Sequence, residues 1–145
     1  MDGIPAEVFL VAVEDIPAVW PEIAHMLLPA CSLTNERVSL DSVKQSLQEG
    51  EKRLFVAVQA GKPVAAATVL IGEHDNGRWA YICQLGGRNP IEWLHTGVVL
   101  IQEFAKLHNC RGVLINNARA EWERVLDPLG FAKTGIRLEW NFDAR

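Results

Sequence analysis

Tyrosine is almost missing from this 145-residue chain, with Tyr81 its single example. Also missing are the groupings that announce metal or disulfide chemistry. The three cysteines, Cys31, Cys83 and Cys110, are odd in number and show no CxxC spacing. That pattern excludes a disulfide framework and suits free, buried thiols in a reducing compartment. The four histidines, His25, His74, His95 and His108, are scattered, and no pair has metal-ligand spacing, so no zinc site is expected. An excess of positive charge is lacking too. Fourteen Lys and Arg against eighteen Asp and Glu leave a net charge of -4, which argues against binding nucleic acid through its phosphates. No apolar run reaches the ~18 residues that would span a bilayer, so no membrane partner is expected. The first ten residues, MDGIPAEVFL, lack the basic segment and apolar core of a signal peptide. No repeat or low-complexity linker interrupts the chain, and a single domain over 1–145 in an intracellular setting is the expectation.

What is present is an ordinary globular composition, 49% apolar and 22% charged. Val8 to Val13 is β-branched and apolar and reads as a strand. Asp15 is placed to cap the helix that follows, with Pro17 in its first turn. Ile16, Val19, Trp20, Ile23 and Leu27 recur at three- and four-residue steps and mark one buried helix face, which Pro29 should end. Asp41 could cap a second helix with Val43 and Leu47 on its apolar side and Gly50 as its stop. Leu54–Val58 and Val64–Ile71 read as strands joined through the glycine of Gln59-Ala60-Gly61-Lys62-Pro63. A polar stretch, GEHDNGR, then leads into a third strand over Trp79–Leu85, which makes a meander.

The next stretch, QLGGRNPIEWLH, combines a two-glycine turn with a helix start. Pro90 fits the first helical position, and Ile91, Leu94, Val98, Ile101 and Ala105 keep helical spacing. Val113–Ile115 is a short apolar strand. Ala118–Leu126 follows as a short helix with Trp122 and Leu126 on one side, ended by Pro128 and Gly130. One or two closing strands fill Phe131–Phe142. The order β-α-α-β-β-β-α-β-α-β(-β) predicts an α/β (α+β) fold, a mixed, largely antiparallel sheet flanked by about four helices.

This order, with GVVLIQEFAKLHNCRGVLINN followed by WERVLDPLGF, resembles the GNAT fold of N-acetyltransferases over nearly the whole chain, Val8 to Phe142. The resemblance implies an acetyl-CoA pyrophosphate loop of the type Arg/Gln-x-x-Gly-x-Gly/Ala before the long helix. Counted back from Cys110, that loop falls on Asn89–Leu94, with Asn89 at its first position and Pro90, Glu92 and Leu94 where the family has small residues. Proline removes an N–H donor, bulky side chains keep a phosphate from the backbone, and Glu92 adds like charge, although an acid in a first turn favours the helix itself. Gly86, Gly87 and Arg88, just upstream, are the alternative cofactor-binding cradle, and a tight turn needing positive φ is the plainer reading of the two glycines. The family's thiolate-protonating tyrosine falls on Leu126, its alanine on Trp122 and its asparagine on Arg119. Leucine has no proton to give.

Glu92 and His95 are the candidate general bases and Cys83 a remote nucleophile. For each the structural reading is preferred: first-turn acid, surface histidine and small core residue. No catalytic residue and no metal ligand is therefore assigned. Arg119, Trp122 and Arg124 pair a tryptophan with two arginines and form a candidate interaction patch.

Gln-Leu-Gly-Gly-Arg, Ala-x-x-x-x-Cys and Trp-x-Arg-Val-Leu together resemble small phage GNAT-like proteins of the podophage internal virion protein A type. That resemblance implies no cofactor, and a non-catalytic virion component or head/tail assembly factor. Its partners would be phage structural proteins or copies of itself, in the host cytoplasm or the virion. The alternative is an acyl-CoA-dependent N-acyltransferase with acetyl-CoA at an atypical cradle.

Overall fold

The computed structural model describes the backbone of residues 7–32, 39–74, 77–87, 90–116, 126–134 and 137–141. Side chains are described for these residues outside 29–32, 74, 90–92, 116, 132–134 and 137–141. In chain order the elements are β1 (Glu7–Val11), α1 (Ile16–Ser32), α2 (Leu40–Gln48), β2 (Lys52–Gln59), β3 (Lys62–His74), β4 (Gly77–Gly87), α3 (Pro90–Leu107), β5 (Gly112–Asn116), β6 (Ala132–Thr134) and β7 (Arg137–Asn141). The strands form one sheet in the order β1-β2-β3-β4-β5-β7-β6. Every pairing is antiparallel except β4 with β5. The expected mixed, largely antiparallel fold is the one observed. Of the fourth helix expected over Ala118–Leu126, only Leu126 lies within the described residues, and it is helical.

Two apolar clusters sit on the two faces of the sheet. On one face α3 contributes Trp93, Leu94, Val98, Ile101, Phe104 and Ala105 against Phe55, Ala57, Ala65, Ala67, Ile82 and Val113. On the other, α1 and α2 lay Ile16, Trp20, Ile23, Leu27, Val43 and Leu47 over Leu54, Val56 and Ala66. Strand alternation explains this division, because neighbouring residues of β2 and β3 point to opposite faces. Most of the residues expected on helix faces from their spacing are those found buried.

The local signals differ from expectation in identifiable ways. Residues Val13–Asp15 form a 3-10 turn, with the Asp15 N–H bonded to the Ala12 carbonyl at 2.9 Å. Asp15 is thus already helical and is not an extended capping residue. Pro29 does not end α1, which continues to Ser32. A proline inside a helix forfeits one hydrogen bond, and the preceding turn is held by Met26 and Leu27 packing on the sheet. Ser39, not Asp41, caps α2: its side chain accepts from the Ser42 N–H at 3.1 Å, and Asp41 occupies the first turn. Gly50, at φ 79°, ends α2 as expected. Ala60 and Gly61, at φ 52° and 76°, form the β2–β3 turn, the double positive-φ geometry that matches strand twist.

At the far end of α3, Arg78 ties the β3–β4 hairpin to the helix terminus. Its guanidinium pairs with Glu73 at 2.8 Å and donates to the His108 carbonyl at 2.9 Å, where a cation favours the helix dipole. Both side chains are well exposed, so the ion pair itself contributes little.

The α1 layer should be the more sensitive to truncation at its centre than at its surface. Ile23 is fully buried, and Ile23→Ala should lower the unfolding free energy by about 2–5 kcal/mol in urea titrations. Glu22→Ala, on the exposed side of the same turn, should change it by less than about 0.5 kcal/mol.

Candidate functional site

The site is generated by one extra residue in β4. Pairing with β3 runs from His74↔Gly77 to Ala65↔Gly87, but Val69 faces Ile82 while Thr68 faces Gln84. Cys83 is left over as a bulge, which bends a strand and raises its twist. On its other side β4 pairs with β5 only from Trp79↔Gly112 to Ile82↔Ile115. Pairing therefore stops at the bulge. Cys83–Gly87 continues for five residues with no strand partner on that side among the described residues. β5 itself turns its opposite edge to β7, as far as Asn116↔Arg137. Two parallel strands thus part at mid-sheet, and the start of α3 follows directly from the free strand.

The bulge costs a ladder hydrogen bond, and a buried polar pair replaces it. Thr68 and Gln84 are 0% and 2% exposed. The Gln84 backbone N–H donates to Thr68 Oγ1 at 3.1 Å, and the Thr68 hydroxyl donates to Gln84 Oε1. One hydroxyl thereby serves as both acceptor and donor, which satisfies two groups that burial would otherwise penalise. Both residues stand out in sequence only as single polar letters inside apolar runs, VAAATVLI and YICQL. By local pattern both runs are plain strands, and nothing in either one alone marks the pair.

Gly86 and Gly87 were expected to form a turn between strand and helix. They lie instead inside β4, opposite Ala66 and Ala65. A Cβ on Gly86 would fall 1.9 Å from the Met26 carbonyl oxygen of α1. One on Gly87, which does have a positive φ of 143°, would fall 2.4 Å from the Val64 carbonyl oxygen. The need for glycine at both positions arises from protein backbone, α1 crossing one and β3 crowding the other. Across the sheet, Ala57, Ala65 and Ala67 make a small-residue wall against which Trp93 packs, leaving an apolar void of about 10 Å³, roughly one water in size.

The other expected residues are spread out. Pro90 opens α3 as predicted. The side chain of Glu92 lies outside the described residues, as do Arg88, Arg119, Trp122 and Arg124. His95 is exposed on α3. Leu126 is fully buried in the α3-side core with Phe131. The half-buried Cys83 thiol donates to the Tyr81 carbonyl at 3.7 Å. Burial pushes this thiol up from its ordinary value, against the smaller opposing influence of Lys52 and the Leu70 backbone. A raised thiol is a poor nucleophile at neutral pH. Among the described residues no three His, Cys, Asp or Glu side chains come together as a metal site, and no helix is long and apolar enough to cross a membrane.

No protein-family model and no curated protein matches this sequence. Solved structures do match its fold. A probable acetyltransferase from Staphylococcus epidermidis ATCC 12228 superposes with TM-score 0.68 and 15% identity, over 94% of this chain and 99% of that one. An N-acetyltransferase from Staphylococcus aureus Mu50 gives TM-score 0.68 and 12% identity, over 94% and 97%. A predicted acetyltransferase from Clostridium acetobutylicum, solved with acetyl-CoA, gives 0.62 and 16%, over 89% and 91%. The fold is that of GNAT acetyltransferases.

Two measurements probe the bulge. Thr68→Val should destabilise the protein by about 1–3 kcal/mol in urea titrations, since it strands the Gln84 side chain and backbone N–H together. Adding Gln84→Leu should recover only part of this, because the backbone N–H stays unpaired. Alkylation of Cys83 by iodoacetamide should be slow at pH 7 and should accelerate as pH rises past 9, read by mass spectrometry of the modified peptide.

Proposed function

We propose that this chain is an acyl-CoA-dependent N-acyltransferase. The observation that carries this reading is the parting of β4 from β5 at the Cys83 bulge. Among the described residues it leaves the edge of Cys83–Gly87 without a strand partner, an edge of the kind an added strand pairs with. An extended arm bearing amide groups, such as the pantetheine arm of CoA, has the chemistry to pair there. When bound, acyl-CoA supplies a thioester-activated acyl group. The acetyltransferases that share the fold support the reading.

The residues fit the two ends of such a molecule unequally. The strand edge suits the arm. The start of α3 suits the phosphates less, since Pro90 has no N–H and Glu92 brings negative charge to the first turn. Leu126 is buried in the core and carries no hydroxyl, so that position would hold no donor for a leaving thiolate. General acid assistance contributes about 10²–10⁴-fold where it operates, so turnover should be slow. Slow turnover is not the same as none.

A second reading keeps the fold and drops the chemistry: a non-catalytic protein of a phage particle or its assembly, acting through protein contacts. The buried Leu126 and the sequence of the α3 start favour it.

Calorimetric titration with acetyl-CoA tests the first reading, which requires micromolar binding. Absence of binding at about 1 mM, a Kd near the limit of weak recognition, would overturn it. Binding without acyl transfer to any amine would favour the second. Glu92→Gln should tighten acetyl-CoA binding by about 2- to 5-fold if the phosphates lie near the α3 start, an effect that shrinks at high salt.

A further inference from the structure

Among the described residues the sheet ends on one side at β1, and this strand has only Glu7, at its first position, to keep strand edges apart. We infer that it pairs antiparallel with β1 of a second copy, about a two-fold axis at Phe9. Exposed edges are normally made very short, bulged, or blunted with lysine or proline. β1, with sequence Glu-Val-Phe-Leu-Val, pairs with β2 in unbroken register from Glu7↔Val58 to Val11↔Leu54. It contains no proline, no lysine and no bulge. Two of its apolar side chains are exposed, Phe9 at 49% and Leu10 at 39%. Alternation sends them to opposite faces of the sheet, so both faces of the strand offer apolar surface at its outer margin.

The strand is complementary to itself in one direction only. With Phe9 on the axis, Phe9 faces its own copy, Leu10 faces Val8, and Val11 faces Glu7. Apolar cross-strand pairs then form on both faces. The two Glu7 carboxylates lie at opposite ends, four residues or roughly 13 Å from alignment, beyond a Debye length at physiological salt. A parallel arrangement would set Glu7 beside Glu7, which favours the antiparallel one.

The opposite margin of the sheet explains why the partner is another β1 and not the far edge. β6 is only three residues long, Ala132–Thr134, and carries Lys133 at its centre, two of the features that discourage pairing. A β1-to-β6 contact would be heterologous and would propagate into filaments. A β1-to-β1 contact closes at two copies. The dimer joins the two sheets into one and leaves the end of the β4–β5 pairing, three strands inward, untouched.

The test is the oligomeric state of the full chain. Light scattering on eluting protein loaded at about 100 µM, suited to an interface at the small end of the specific class, should give twice the 16.1 kDa monomer mass. Phe9→Lys with Leu10→Lys should give a monomer with unchanged far-UV circular dichroism, since both side chains are exposed. Phe9→Cys provides independent evidence: under mild oxidation it should form an intermolecular disulfide, because directly opposed antiparallel residues have Cα atoms about 4.5–5.5 Å apart, within disulfide reach. Leu28→Cys, somewhat more exposed on α1, should crosslink no more than the unsubstituted chain does. A monomer at every concentration, a dimer that survives the double lysine change, or equal crosslinking through position 28 would each overturn the proposal.

Discussion

β4 is the strand on which the other elements depend, and the constraint that shapes it is a mismatch of one residue. On the β3 side it stays paired antiparallel from Gly77 to Gly87, on both sides of the bulge. On the β5 side it pairs in parallel for only four residues, Trp79 to Ile82. The bulge at Cys83 lets one strand meet both demands. Everything near the candidate site then follows from where that extra residue falls. Thr68 must supply a hydroxyl because the Gln84 N–H has moved away from a ladder carbonyl. Gly86 must be glycine because the strand now runs beneath the backbone of α1. The pairing of β4 with β5 ends where the bulge begins, at Ile82↔Ile115.

A second dependence runs through the thickness of the sheet. Ala65 and Ala67 face α3, and Ala66 faces α1. Three consecutive small residues let a tryptophan approach from one side and a helix backbone from the other. Interiors at crystalline density transmit volume changes to their neighbours. The α3 side and the α1 side of the sheet are therefore mechanically linked through this alanine segment.

Much of the fold was legible in the sequence, because it rests on periodicities that side chains declare. The i, i+3, i+4 spacing of Ile16, Trp20, Ile23 and Leu27 and of Leu94, Val98, Ile101 and Ala105 marked residues that are buried. The glycine of the β2–β3 turn, Pro90 at the start of α3 and Gly50 at the end of α2 were legible for the same reason: each residue type states a backbone preference, which Ala60 at φ 52° does not. The site was far less legible. A bulge is a relation between two strands and leaves no mark in either one alone. The glycines of QLGGR were read locally, as a turn, whereas the need at Gly86 comes from Met26, sixty residues earlier in the chain. Pro29 misled in the opposite sense, since its local preference to end a helix was outweighed by the packing of Met26 and Leu27. The pairing of Thr68 with Gln84 needed both strands in hand before either residue looked unusual.

The parallel pairing of β4 with β5 also has a kinetic meaning. β2, β3 and β4 form a meander whose turns bring neighbouring segments together, so these contacts close short loops. β5 reaches β4 only after α3 has crossed the sheet, and such non-local pairing is intrinsically slow. During folding the free edge of β4 is thus present along its whole length before β5 arrives to cover Trp79 to Ile82. What persists in the finished protein, from Cys83 to Gly87, is the part of that edge that β5 never covers.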